Sequence, residues 1–179
     1  MSERSIDEDE LIARVRRQAV ADGTPPAAPA TAEAIAAAEA ALGLTLPPLL
    51  VRLYREVGDG GYGPDGHLLW PLHGIVAANP RRTAPGGWPG GVVAVLDWGC
   101  AMSAVVDCLR PGAPVLLHEP NAEPDDPADT WFEDCPSLAR WLADWLDGRA
   151  WWEEHVMMDE RDGEMLPHWP DAAARIAAP

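Results

Sequence analysis

The hydrophobic period of this chain changes near Gly58, and that change constrains the fold more than any single motif. Before it, apolar residues recur at three- and four-residue intervals, the period of a helix with one face in a core. From Thr31, an N-cap type of residue, Ile35, Ala38 and Leu42 share a face, and Gly43 ends the run. The segment LPPLLVRLYREVG then puts proline in a first helical turn, where a missing N–H costs nothing. It aligns Leu50, Leu53, Tyr54 and Val57 and stops at Gly58, so the spacing predicts a hairpin of two helices.

Beyond Gly58 the apolar runs are short, β-branched or aromatic, and bounded by glycine, proline and asparagine. HLLWPL (67–72), GVVAVLDWG (91–99), SAVVDCL (103–109) and PVLLHE (114–119) read as four strands, largely antiparallel. In SLARWLADWLDG the helical period returns, with Leu138, Trp141, Leu142, Trp145 and Leu146 on one stripe and Gly148 after it. The fold class is therefore α+β: two N-terminal helices, a mixed and mostly antiparallel sheet, and a closing C-terminal helix.

Two segments flank that unit. Residues 7–20, DEDELIARVRRQAV, form an amphipathic helix with Leu11, Ile12, Val15 and Ala19 on one face. The prolines of DGTPPAAPA then interrupt it, which suggests a separable appendage. After Gly148, AWWEEHVMMDERDGEML reads as one more helix, docked through Trp151, Trp152, Val156 and Met157 ahead of a proline-bearing tail. The expected organisation is a helix and linker at 1–30, a domain at 31–148 and an extension at 149–179.

Charge narrows the function. The chain carries 29 acids against 13 cations, a net charge of −16, and every cation is arginine. Such a balance opposes nucleic-acid backbones and anionic membranes and suits either a basic protein partner or simple solvation of the surface. Residues 111–139 hold seven acids and no base, most of them in the proline-broken run NAEPDDPADTWFEDC. No apolar run approaches the roughly 18 residues that span a bilayer, and MSERSIDEDE lacks the basic-then-apolar order of a signal peptide, so a cytoplasmic location is expected. The odd set Cys100, Cys108 and Cys135, without a CxxC pair, implies reduced thiols.

The stretch LDWGCAMSAVVDC (96–108) concentrates the reactive residue types. A cysteine nucleophile needs a nearby cation or helix N-terminus and a histidine base. Cys100 has Asp97 close by instead, and no motif brings a histidine to it, so it is expected to be a buried structural residue. His67, His73, His118, His155 and His168 are scattered without an HExxH motif, and no metal site is predicted. GDGGYGPDG (58–66) follows a helix and lacks the phosphate-loop lysine; it reads as a turn, and no cofactor is predicted. Tyr62 within it is either a lid on the core or an exposed contact. Asp97 and Asp107 depend on hairpin register: a turn at Ala101–Met102 sets Asp97 against Val106, whereas a three-residue turn sets the two acids opposite each other. No complete set of nucleophile, base and orienting group can be assembled, so no catalytic residue is assigned; a hydrolase using Cys100 or Asp97 and Asp107 is the enzymatic alternative.

The run IAAAEAALGLTLPPLLVRLYREVGDGGYGP resembles the opening of the SUKH superfamily in its Smi/Knr branch, where a helix ending in "LG..LP" precedes a second helix and a glycine-rich turn. VLDWGCAMSAVVD resembles that family's strand signature, and the likeness extends over roughly 31–148, through WLADWLDG. The resemblance implies an α+β protein-binding module and not an enzyme. Many bacterial members are immunity proteins that neutralise polymorphic toxins, often nucleases or deaminases; others are regulators or scaffolds. Trp98, Gly99 and Cys100 then become fold determinants. The candidate partner surface comprises Asp97, Asp107 and Glu119 around a polar concavity, with Glu123, Asp125, Asp126 and Asp129 of the acidic loop and Tyr62. The expected partner is a basic toxin domain; a housekeeping regulatory scaffold is the alternative.

Overall fold

A computed structural model describes residues 6–21, 26–63, 68–79, 88–122, 126–149 and 165–177. Its helices are α1 (Glu8–Ala21), α2 (Ala32–Leu42), α3 (Pro48–Glu56), α4 (Leu72–Ala78), α5 (Leu138–Leu146) and α6 (Ala172–Ala177). Its strands are β1 (Val92–Gly99), β2 (Met102–Asp107), β3 (Val115–His118) and β4 (Trp131–Cys135). The strands lie in sequence order and every neighbouring pair is antiparallel. The α+β class stands, with a sheet that is a plain antiparallel meander.

Local chemistry sets the helix limits. The Thr31 hydroxyl accepts the Ala34 N–H at 3.2 Å and opens α2, and Gly43 closes it in the left-handed conformation at φ 71°. The Ser137 hydroxyl accepts the Arg140 N–H in the same way at the start of α5.

Helices α1 to α5 cover one face of the sheet, meeting Val93, Val95, Ala104, Val106 and Val115 in the main core. Here α1 departs from the expected appendage. Leu11, Ile12, Val15 and Ala19 are fully buried in that core, and α1 packs on α3 and α5. Arg14 bonds Asp147 at 2.6 Å and Arg16 donates twice to the Glu56 carbonyl. Burying three such aliphatic side chains contributes about 5 kcal/mol before chain ordering is counted. The proline-rich stretch does not isolate the helix, because its backbone is laced to the domain: the Ala30 N–H donates to the Tyr54 carbonyl at 2.9 Å and the Asp59 N–H to the Ala28 carbonyl at 3.2 Å. Proline forbids helix but leaves carbonyls able to accept.

The other face is covered by the C-terminal segment 165–177. Trp169 and Ala172 pack on Val92, Ala94, Val105, Leu116 and Trp131. The Glu133 N–H donates to the Pro167 carbonyl and the Trp169 N–H to the Trp131 carbonyl, both at 2.8 Å, so the segment begins as a short added strand on β4. Two further assignments change. Of HLLWPL, the described residues 68–72 form no strand: Trp70 makes one bond to β1, its N–H to the Val95 carbonyl at 2.9 Å, and after Pro71 the chain turns into α4. β4 arises instead from WFEDC, inside the expected acidic loop. The helix predicted around Trp151 and Met157 falls outside the described residues.

Candidate partner-binding site

The β1–β2 hairpin turns at Cys100 and Ala101, whose φ values of 48° and 67° are both left-handed, as a two-residue turn between right-twisted strands requires. Gly99 pairs with Met102, a bulge removes Trp98 from the ladder, and Asp97 pairs with Ser103. Neither expected register holds. Asp107 pairs with Val92, four positions further along β2, so the two acids stand roughly 13 Å apart. That is wider than the 5 to 9.5 Å, approximately, that paired glycosidase carboxylates keep. Cys100, expected in the core, is exposed at the apex of the turn. The glycine and bulge do shape the strand, and Trp98 is half-buried against the main core.

Registry through the sheet places Asp97, Ser103, His118 and Trp131 in one cross-strand row. His118 stacks on Trp131 with ring centroids 4.4 Å apart, and Trp88 meets it edge-on at 5.2 Å. Burial opposes protonation there and lowers the imidazole pKa to about 4, although the nearby Glu119 charge pulls the other way. The row contains the residue types of a hydrolytic triad, but Ser103 lies between the acid and the histidine, whereas a base must stand between nucleophile and acid.

The hairpin tip is tied to the β3–β4 connection by Asn121, which no sequence motif marked. Its Nδ2 donates to the Cys100 carbonyl at 2.6 Å and to Glu119 Oε1 at 2.7 Å, and its backbone N–H donates to the same oxygen. Glu119 is thereby held almost completely buried, at 9% exposure, and its N–H reaches the Thr130 carbonyl at 2.8 Å. Asp126 opens the turn at Pro127–Thr130 by accepting the Ala128 N–H at 2.9 Å. Asp126 and Asp129 face solvent. An asparagine after proline is a turn former, and that is the signal available for Asn121.

One end of the sheet therefore gathers Asp97, Glu119, Asp126 and Asp129, while Glu123 and Asp125 of the same connection lie outside the described residues. Two predicted members are elsewhere. Asp107 is fully buried near the opposite end of β2, where its carboxylate meets Arg175 at 3.2 Å and accepts the Leu109 N–H at 3.0 Å. Tyr62 has no exposed surface; it packs in the main core, and burial pushes its phenol pKa up, so of its two open roles it takes the packing one. The concavity expected from Asp97, Asp107 and Glu119 together does not form.

Among the described residues no helix is long and apolar enough to cross a membrane. A helical hairpin leading into an antiparallel meander, with an apolar helix returning over one face, defines an α+β module of the SUKH type. The chain matches the SMI1 / KNR4 family (SUKH-1) over residues 29–144 and belongs to that family. No curated protein matches it.

Proposed function

We propose that this protein is a cytoplasmic, cofactor-independent immunity protein that binds and blocks a cognate toxin without catalysis. Family membership supports a protein-binding module, and the observation that carries the reading to a basic partner is the clamped acidic end of the sheet. A toxin that acts on nucleic acid must present arginines and lysines to its substrate. An acidic face can occupy that surface and accelerate encounter, because opposite potentials steer diffusing partners. The net charge of −16 adds a long-range attraction of the same sign, screened beyond about 8 Å at physiological salt.

The test is tagged recovery of the full chain from its source cell, identification of what co-purifies, and expression of that protein with and without this one. The reading predicts a partner whose expression stops growth and whose toxicity is relieved by co-expression. A stable partner with no toxic domain would replace it with the regulatory-scaffold reading, and turnover by the purified protein alone would revive the hydrolase.

A further inference from the structure

The cross-strand row of Asp97, Ser103, His118 and Trp131 has an aromatic wall at one end. His118 stacks on Trp131, its partner on β4, with ring centroids 4.4 Å apart and planes 29° from parallel. Trp88 lies 4.9 Å from Trp131 and 5.2 Å from His118, at 78° and 75° to them. Three centroids so nearly equidistant form a triangle, which puts Trp88 along the shared edge of the stack and not across the outer face of His118. That outer face is turned away from β4 and looks across β2.

Ser103 and Asp97 continue the row beyond that face. Residues paired across strands share one side of the sheet, and two strand spacings set Asp97 roughly 10 Å from His118. Ser103 is short, so the space between them has a low floor, a ring on one side and a carboxylate on the other. Asp97 is exposed, and Ser103, His118 and Trp88 are half-buried, so the space opens to solvent. One Asp97 oxygen accepts the Gly99 N–H at 2.8 Å, and among the described residues no cation pairs with this carboxylate. Other acids of the chain are answered by its own arginines, as Asp107 is by Arg175 and Asp144 by Arg140.

We propose that this space is a slot for one arginine side chain of the partner, with the guanidinium plane against the outer face of His118 and its charge against Asp97. The proposal names the group that the acidic end of the sheet would take up, and it rests on that end being the partner-binding surface. A guanidinium is planar, weakly hydrated and able to stack on aromatic faces, whereas a lysine ammonium is compact and strongly hydrated. Burial lowers the His118 pKa to about 4, so at pH 7 the ring is neutral and does not repel a cation. The Ser103 hydroxyl can accept a guanidinium N–H from below.

The test needs no partner protein. N-acetyl-arginine amide is titrated into the full chain at pH 7 while backbone and indole N–H resonances are followed, with the corresponding lysine and citrulline amides as controls. The expected result is saturable shifts centred on Asp97, Ser103, His118 and the Trp88 indole, at least threefold weaker binding of the lysine amide, and no response to the neutral citrulline amide. Ser103→Leu, which fills the floor, abolishes the shifts. Should that variant fold poorly, Asp97→Asn, at an exposed position and still able to accept the Gly99 N–H, weakens the arginine amide at least threefold. Absence of saturable shifts, shifts centred elsewhere, an equal response to lysine or citrulline, or unchanged binding by Asp97→Asn would each overturn the proposal. A co-purified partner that proves harmless would remove the toxin role and leave these shifts in place, whereas a neutralised toxin with no response to the arginine amide would remove the slot alone.

Discussion

Burial between Trp88 and Trp131 makes His118 a liability to the folded state in acid. Its folded pKa, about 4, lies below the ordinary 6.5, so the unfolded chain binds the proton first. The contribution of the neutral imidazole to stability is present above pH 6.5 and is lost progressively as the pH falls toward 4. Between about pH 7 and about pH 4.5 the wild type should lose about 2 kcal/mol more than His118→Phe, which keeps the stack but cannot titrate. Parallel pH profiles in urea unfolding would contradict this. Asp107 and Arg175 make the opposite case, a charge tolerated in the core because it is answered. Arg175 also donates to the Gly90 carbonyl at 3.1 Å and lies 5.6 Å from the Trp169 ring centroid. Arg175→Ala should cost about 3 kcal/mol, because Asp107 is left buried and unanswered, and adding Asp107→Asn should restore a good part of it. The pair was invisible in the sequence, since an arginine in an alanine-rich tail gives no sign of its partner 68 positions away. The thiols separate by position. Cys100 is exposed, Cys135 is buried, and burial with the Asp107 charge pushes the Cys108 pKa up to about 12. Native alkylation followed by peptide mapping should therefore label Cys100 first by a wide margin, and equal labelling of the three would refute the placement.

At the scale of elements, α1 carries the sharpest consequence. Ile12→Ala should destabilise by about 2 to 4 kcal/mol, the range for truncating a buried aliphatic side chain, and a calorimetric change under about 0.5 kcal/mol would return α1 to the status of an appendage. The helix itself was legible because its apolar face is periodic; its docking was not, because periodicity says that a face must be covered without saying by what. α2, α3 and α5 were likewise read from stripes and caps. β4 was missed since Glu133 and Asp134 break the strand alternation at the bulge, and the acids outweighed the Trp131–Phe132 pair. HLLWPL was over-read for the converse reason: it is apolar enough for a strand but meets β1 through one bond before Pro71 directs the chain into α4. The short turn at Cys100 and Ala101 was hidden because neither residue is the asparagine or glycine that usually marks positive φ.

At the scale of the molecule, the family match covers 29–144, yet both faces of the sheet depend on residues outside it. α1 completes the helical layer and the 165–177 segment covers the opposite face. The acidic end of the sheet is where Asn121 joins the hairpin tip to the β3–β4 connection. Of the predicted surface, Asp97, Asp126 and Asp129 are exposed there, whereas Tyr62 and Asp107 are interior. The acidic composition was sufficient to suggest a basic partner; which acids cluster depended on a register that the sequence left open. The most direct test is the association rate with the co-purified partner as a function of ionic strength, for the wild type and for a variant neutralised at Glu123, Asp125, Asp126 and Asp129. The account predicts that the variant folds with nearly unchanged stability, associates at least tenfold more slowly at low salt, and shows a flatter salt dependence. Identical rates and identical salt slopes would contradict it.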